Sequence, residues 1–295
     1  MMATTSQSIA DEAVAGMIDA AASTKDARPP YLHHLKQAQA LTLGNGVKCE
    51  VWELKVPTDA PCLSEWARRF RQTYCPDSDL DILRAGTGKS RAEYLLELVF
   101  PDESAPPGPA VRSGDFAELL VSDYVEFILG YWVPRGKYAE KGSRDESVKG
   151  VDIVGFHCPD PGQPKPTDEM LAFEAKAQLV GGQYKDRLQI AVNDSAKDYL
   201  RAGETLAAMK RRMHVAGERA SMLVVQRFQD AVDRPYRFLS GAAAILSDTA
   251  FDTEGIKGTA IAGHNNAGNL KLIVIKGKDL MALAHALYQR AADEA

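Results

Sequence analysis

Apolar positions recur along this chain with two different periods, and the switches between them lay out its elements. Val47 to Val56 (VKCEVWELKV) alternates apolar and polar residues like a half-buried strand, and Leu63 to Tyr74 (LSEWARRFRQTY) has helical spacing. Together they predict a small α+β unit over residues 31–100. Four prolines within the nine residues from Pro101 to Pro109 then mark a linker or long loop. Ahead of this unit, residues 1–30 are rich in Ala, Ser, Thr and Asp. Ile9, Val14, Met17, Ile18 and Ala21 can line one face of a short helix there, and a mobile lead-in fits equally well.

Residues 111–295 carry a stronger pattern. Asp115 to Leu129 is a predicted helix with a polar stripe of Asp115, Glu118, Ser122 and Glu126. A strand over Tyr131–Tyr138, a polar turn over Glu140–Ser147 and a strand over Val151–Phe156 follow. The Pro/Gly loop Pro159–Pro166 leads to a third strand, Met170–Ala177. Leu188, Val192, Ala196, Tyr199, Ala202, Leu206, Met209 and Met213 recur every three or four positions and predict one long amphipathic helix. Strands at Ala242–Leu246 and Leu270–Ile275 and a helix from Asp279 to Ala292 complete the chain, which contains no internal repeats. The expected fold class is α/β, a mixed sheet flanked by helices in residues 111–295, with the smaller unit at 31–100.

Charges inside two of these strands change the picture from architecture to chemistry. In MLAFEAKAQ the two-residue period puts Leu171, Phe173 and Ala175 on one face and Ala172, Glu174 and Lys176 on the other. Charges in the middle of an apolar strand are costly unless they are paired, metal-bound or facing water. Asp152 interrupts VDIVGF in the same way. If the two strands are neighbours, Asp152, Glu174 and Lys176 converge. Mg²⁺ is commonly held by one or two carboxylates together with waters and phosphate oxygens. Asp152 and Glu174 are the expected ligands, the Ala175 carbonyl is a further oxygen between them, and Mn²⁺ is an expected substitute. Lys176 is placed to orient a water and to offset charge developing on a phosphate. The competing reading is an ordinary Glu–Lys pair on an exposed sheet face, because three-letter motifs are cheap.

Composition bounds these readings without deciding among them. A hydrophobic share of 45% and a charged share of 25% are those of an ordinary globular protein. No run approaches the ~18 apolar residues of a membrane span. The first residues lack the features of a secretory signal. Cys49, Cys62, Cys75 and Cys158 are widely spaced and read as reduced thiols, so a cytoplasmic location is expected. The net charge of −5 argues against coating nucleic acid by bulk electrostatics, but leaves room for a local basic rim.

The order helix, strands, helix, strands, with GVDIV and FEAK, resembles the PD-(D/E)XK nuclease superfamily, the fold of restriction endonucleases. Val151 stands where that group often has proline. The resemblance implies that an acidic residue of the first helix joins the metal site, and Glu118 is the matching position; a solvated helix face is the alternative. Across residues 45–250, RRFRQTYCPD, SGDFAELL, KGVDIVGF and FEAK are together similar to the HamA family, nuclease subunits of the Hachiman anti-phage defence system. That resemblance implies a nuclease that degrades DNA after phage attack, with a partner helicase, HamB; together with the carboxylates above, the expected activity is that of an Mg²⁺-dependent nuclease. The alternative is an adaptor that keeps a nuclease-like fold to hold DNA or regulate a helicase. Residues 31–100 carry no catalytic candidates and are the expected docking surface for that partner.

Other signals point to less. Gly86-Thr-Gly-Lys89-Ser90 imitates a phosphate-binding loop, but Leu83 stands where its first glycine belongs. Arg135, Lys137, Lys141, Arg144 and Lys149 surround the candidate site in sequence and fit either phosphate contacts or a solvated loop. Lys210, Arg211 and Arg212 sit where cations favour a helix C-terminus. His33-His34 and His157-Cys158 lack metal-ligand spacing.

Overall fold

The computed structural model describes residues 28–158 and 163–295; the lead-in expected over residues 1–30 lies almost wholly outside them. Seven strands form one mixed sheet: β1 (Leu35–Gln37), β2 (Leu41–Thr42), β3 (Lys48–Leu54), β4 (Ile153–His157), β5 (Glu169–Gln178), β6 (Arg237–Ser247) and β7 (Leu270–Gly277). The spatial order is β1-β3-β7-β6-β5-β4, with β2 also pairing β3. β3, β7, β6 and β5 run parallel, while β4 pairs antiparallel with β5. The central strands are buried on both faces, which is why AAAIL and LIVI read as unbroken apolar runs rather than alternating ones.

Nine α-helices stand among the described residues. The first five are α1 (Ala60–Tyr74), α2 (Asp77–Arg84), α3 (Arg91–Tyr94), α4 (Gly108–Asp123) and α5 (Arg187–Ser195). The remaining four are α6 (Asp198–Val215), α7 (Arg219–Arg227), α8 (Thr253–Lys257) and α9 (Leu280–Asp293). On one sheet face Leu171, Phe173, Ile245 and Ile275 pack with residues of α1, α4 and α9, among them Trp66, Phe116 and Tyr288. The other face carries two separate clusters. Val154, Phe156, Met170 and Ala172 meet α6 and α7, whereas Ala242, Ala244, Leu272 and Val274 meet α5 and α8. Glu174 and Lys176 sit on this second face, opposite Ala242 and Ala244 in the β5–β6 register. Small alanines there leave the space between the two clusters to polar side chains.

The unit expected at 31–100 is built into the same sheet as residues 111–295 rather than standing beside it. β3 pairs with β7 over Cys49–Leu54, and Trp66, Phe70 and Tyr74 of α1 share a core with α4 and α9. The proline-rich stretch is therefore a connection within one core. Its sequence shows a turn but not where the strands on either side pair.

Two local expectations are corrected, and a third segment is given its role. Tyr131–Tyr138 contributes only a bridge between Trp132 and Phe156. Pro134 offers no donor, and Gly136, with φ of 103°, turns the chain into a short 3-10 helix over Lys137–Glu140. The long helix expected from Leu188 to Met213 is two helices, α5 and α6, parted at Ala196–Lys197 after Ser195 turns its hydroxyl onto the Val192 carbonyl at 3.0 Å. Tyr199, expected on the apolar face, is 64% exposed as a result. The Gly86–Ser90 segment is a helix start: Ser90 and Glu93 form a capping box on α3. No described helix is long and apolar enough to cross a membrane.

Candidate active site

Asp152 stands immediately before β4, and Ile153 pairs with Phe173, so the sheet register brings Asp152 level with Glu174. Its Oδ2 accepts the backbone N–H of Ala175 at 3.0 Å. Glu174 is 2% exposed, and its Oε2 accepts from Lys176 Nζ at 3.1 Å. Lys176 bridges on to Asp194 Oδ2 of α5 at 3.1 Å. The three residues expected to converge are thus within one hydrogen-bonded cluster. An exposed Glu–Lys pair is excluded as the description of this place, because Glu174 is buried.

Glu118 approaches from α4. Lys137 Nζ pairs with Glu118 at 2.5 Å and donates to the Asp152 backbone carbonyl at 2.7 Å, so one ammonium links the helix to the strand entry. Tyr138 donates to Glu118 Oε2 at 2.7 Å. Glu118 is therefore held at the edge of the cluster, one lysine away from Asp152.

The structure adds a residue that the pattern did not single out. Asp198, at the start of α6, is fully buried. Glu174 and Asp198 share one guanidinium, that of Arg201, and the β4–β5 register sets Asp152 level with Glu174. When ionised, these oxygens lack donors: among the described residues Glu174 Oε1 and both carboxylate oxygens of Asp198 have no hydrogen-bond partner. Arg201, one turn along α6, lies 3.5 Å from Glu174 Oε1 and 3.7 Å from Asp198 Oδ1. The signal available beforehand was the polar run Asn193-Asp194-Ser195, which breaks the apolar stripe just ahead of Asp198.

Burial, with the carboxylates adding to one another, raises all three. Burial pushes Asp152 up to about 6, with Lys137 and Lys176 opposing and Glu174 adding to the rise. Burial and the neighbouring Asp198 push Glu174 up to about 7. Asp198 is likewise pushed up to about 7, chiefly by burial. Burial works against the charge of Lys176, but Glu174 and Asp152 outweigh it and hold the ammonium above its ordinary range. Glu118 is raised by burial, against the pull of Lys137. Such clustering of displaced titration is characteristic of functional sites.

Among the described residues, no group of three or more His, Cys, Asp or Glu side chains is already arranged to hold a metal ion. The donor chemistry nevertheless suits a hard divalent cation. Orphaned carboxylate oxygens are buried beside one another, and Mg²⁺ needs few protein ligands because waters complete its shell.

The surroundings are basic on one side. A small cavity of about 50 Å³ is lined by Asp152, Lys137, Thr205 and Arg212. It shares Thr73, Leu119 and Arg135 with a cleft of about 240 Å³ that carries Arg68 and Arg69 of α1. Most of the basic residues noted in the sequence are already paired. Arg135 meets Asp123 at 2.8 Å, Lys141 meets Asp115, and Arg144 meets Asp102 at 2.5 Å. They clamp the loop onto α4 and its flank.

No curated protein and no solved structure matches this chain. One family profile, HamA, matches residues 29–291 and so spans the sheet, all nine helices but for the last residues of α9, and every residue of the cluster. The chain belongs to the HamA family.

Proposed function

We propose that this protein is a magnesium-dependent deoxyribonuclease, with Asp152, Glu174 and Lys176 as its reactive set. Family membership makes it a component of the Hachiman defence system; the nuclease chemistry, the DNA substrate and the partner helicase resembling HamB are our reading. The observation that carries the proposal is the buried Glu174 carboxylate, held between Lys176 at 3.1 Å and the neighbouring Asp152.

Asp152 and Glu174 would hold the Mg²⁺, with Glu118 near enough through Lys137 to support it. The bound ion would lower the pKa of a water and offset charge on the phosphate. The chain's own residues do the rest. The Ala175 N–H fixes the Asp152 carboxylate, so that it does not have to be ordered when substrate arrives. Lys176, fully protonated, offers an ammonium for orienting a water and for countering the charge that builds on the phosphate oxygens. Arg68 and Arg69, lining the cleft next to the Asp152 cavity, suit an anionic backbone more than a neutral substrate.

The test is plasmid cleavage by the purified chain, with and without the helicase, in Mg²⁺, Mn²⁺ or EDTA. Cleavage that needs the divalent ion and disappears in Glu174→Gln is expected. Metal-independent cleavage, or a fully active Glu174→Gln protein, rejects the assignment.

A further inference from the structure

Asp198 is an anomaly on structural grounds alone. It is fully buried at the first position of an 18-residue helix, yet its side chain does not cap that helix. Neither of its oxygens finds a hydrogen-bond donor among the described residues. The ion pair to Arg201 is long, 3.7 Å, and comes from a half-exposed guanidinium that also serves Glu174 at 3.5 Å. A buried carboxylate without donors costs stability, and the positive end of α6 offsets only part of that cost. What the position gains is proximity: Asp198 and Glu174, the central carboxylate of the proposed site, turn an oxygen each toward the same Arg201 nitrogen.

We propose that Asp198 is a third carboxylate ligand of the divalent-cation site, reaching the ion from α6 while Asp152 and Glu174 reach it from the sheet. The inference rests on the metal-dependent reading above and adds to it a ligand from a helix that the sequence pattern presents as merely amphipathic. Its donor set matches the class of ligand: oxygens only, no nitrogen or sulfur, suited to Mg²⁺ or Mn²⁺. Arg201 then has a definite part. In the metal-free protein its guanidinium stands beside the free oxygens of Glu174 and Asp198 as a tethered countercharge. When the ion arrives it is released, and being half-exposed it is free to turn toward solvent or a phosphate.

The proposal separates two effects that an ordinary structural aspartate would join. Binding of Mn²⁺ to the full chain, without DNA, is measured by isothermal titration and by loss of the free-ion paramagnetic resonance signal. Thermal unfolding is followed in EDTA. Asp198→Asn is expected to weaken Mn²⁺ binding about tenfold or more, since even residues one shell further out cost 10–100-fold. Its metal-free melting temperature is expected to equal or exceed that of the parent, because a crowded charge is gone. Unchanged Mn²⁺ affinity in Asp198→Asn, alongside lost affinity in Glu174→Gln, overturns the role of Asp198 and leaves the nuclease reading standing. Absence of Mn²⁺ binding in the parent chain overturns both. Should Asp198→Asn fail to fold, Asp198→Ala is taken through the same titration. Failure of both to fold assigns Asp198 to packing and rejects the proposal.

Discussion

The carboxylate of Asp152 accepts the backbone N–H of Ala175, the residue that separates Glu174 from Lys176. A bond at this position does what no side-chain contact would do as well. It ties the entry of β4 to the middle of β5 and sets the three reactive groups against one another through backbone, which moves least.

Substitutions should therefore divide by role. Asp152→Ala and Glu174→Gln are expected to lose both Mg²⁺ affinity and cleavage. Lys176→Ala should keep metal affinity and lose cleavage by roughly a hundredfold or more, the scale seen when one group that stabilises transition-state charge is removed. Calorimetric titration of metal and a plasmid assay on the same folded preparations make the check. Equal loss of metal affinity in Lys176→Ala would mean that the lysine orders the site rather than serving the chemistry.

The raised carboxyls make stability depend on pH in a set direction. Glu174, ordinarily near 4.5, is held up at about 7 in the folded protein and relaxes on unfolding. The folded state therefore binds more protons than the unfolded one between these values. Its contribution is complete below about 4.5 and is lost as pH rises through about 7. Asp152 and Asp198 act in the same sense. His264 and His285, whose burial lowers them, act in the opposite sense at the acid end, so the comparison is best made against a variant. In EDTA, raising the pH from 5 to 8 should cost the parent on the order of 3 kcal/mol more than Glu174→Gln. Saturating Mg²⁺ should remove most of that difference. Parallel stability profiles for the two proteins would show that the carboxylates are not crowded as described.

Gly241 lies opposite Phe173 in the β5–β6 ladder, one residue ahead of Glu174. A methyl group added there would meet the Phe173 ring at 2.2 Å. The ring is fully buried and has no open side to move into. Gly241→Ala should destabilise by roughly 1–3 kcal/mol through overpacking. Because Phe173 adjoins Glu174 along β5, a shift of the strand that relieves the ring should also disturb the site on the other face, and cleavage should fall as well. Urea unfolding that shifts its midpoint without changing its slope is the expected result; an unchanged midpoint would mean that the strand has room to part.

What could be read beforehand followed from period. The alternation in MLAFEAKAQ was enough to separate the Phe173 face from the Glu174 face, and both faces are as expected. Pairing of β4 with β5, the condition for bringing Asp152 to Glu174, is met because the strands are consecutive, and consecutive strands commonly lie side by side. Sequence distance concealed the rest. β3 and β7 pair across more than two hundred residues, and nothing in VKCEVWELKV names its partner. Asp198 was masked by its own helix: the apolar positions from Leu188 to Met213 keep a helical spacing through the break at Ala196–Lys197, so an aspartate there reads as solvated. The polar run Asn193-Asp194-Ser195 marks the break, but burial is what singles out Asp198.

The net charge is −5, and Arg135, Lys137, Lys141 and Arg144 are all engaged with acidic groups of the protein itself. With these cations beside Asp152 already engaged and the net charge negative, the unaided chain should bind DNA weakly and lose it readily with salt. A helicase that delivers strands would raise their effective concentration without altering the chemistry. The chain alone is therefore expected to cleave slowly at physiological salt and to be accelerated by the helicase. Residues 31–100 remain our proposal for the docking surface, but deleting them is a poor test. It would strip β3 from β7 and α1 from α9, and the remainder should not fold. Surface substitutions avoid this. Ile82 and Leu83 on α2 are 76% and 53% exposed, more apolar surface than an isolated helix face requires. The double variant Ile82→Glu, Leu83→Glu should fold normally, cleave as slowly as the parent when alone, and lose both co-purification with the helicase and the acceleration it brings. Full retention of both would move the docking surface elsewhere on the molecule, and rapid cleavage by the parent chain alone would remove the case for restraint.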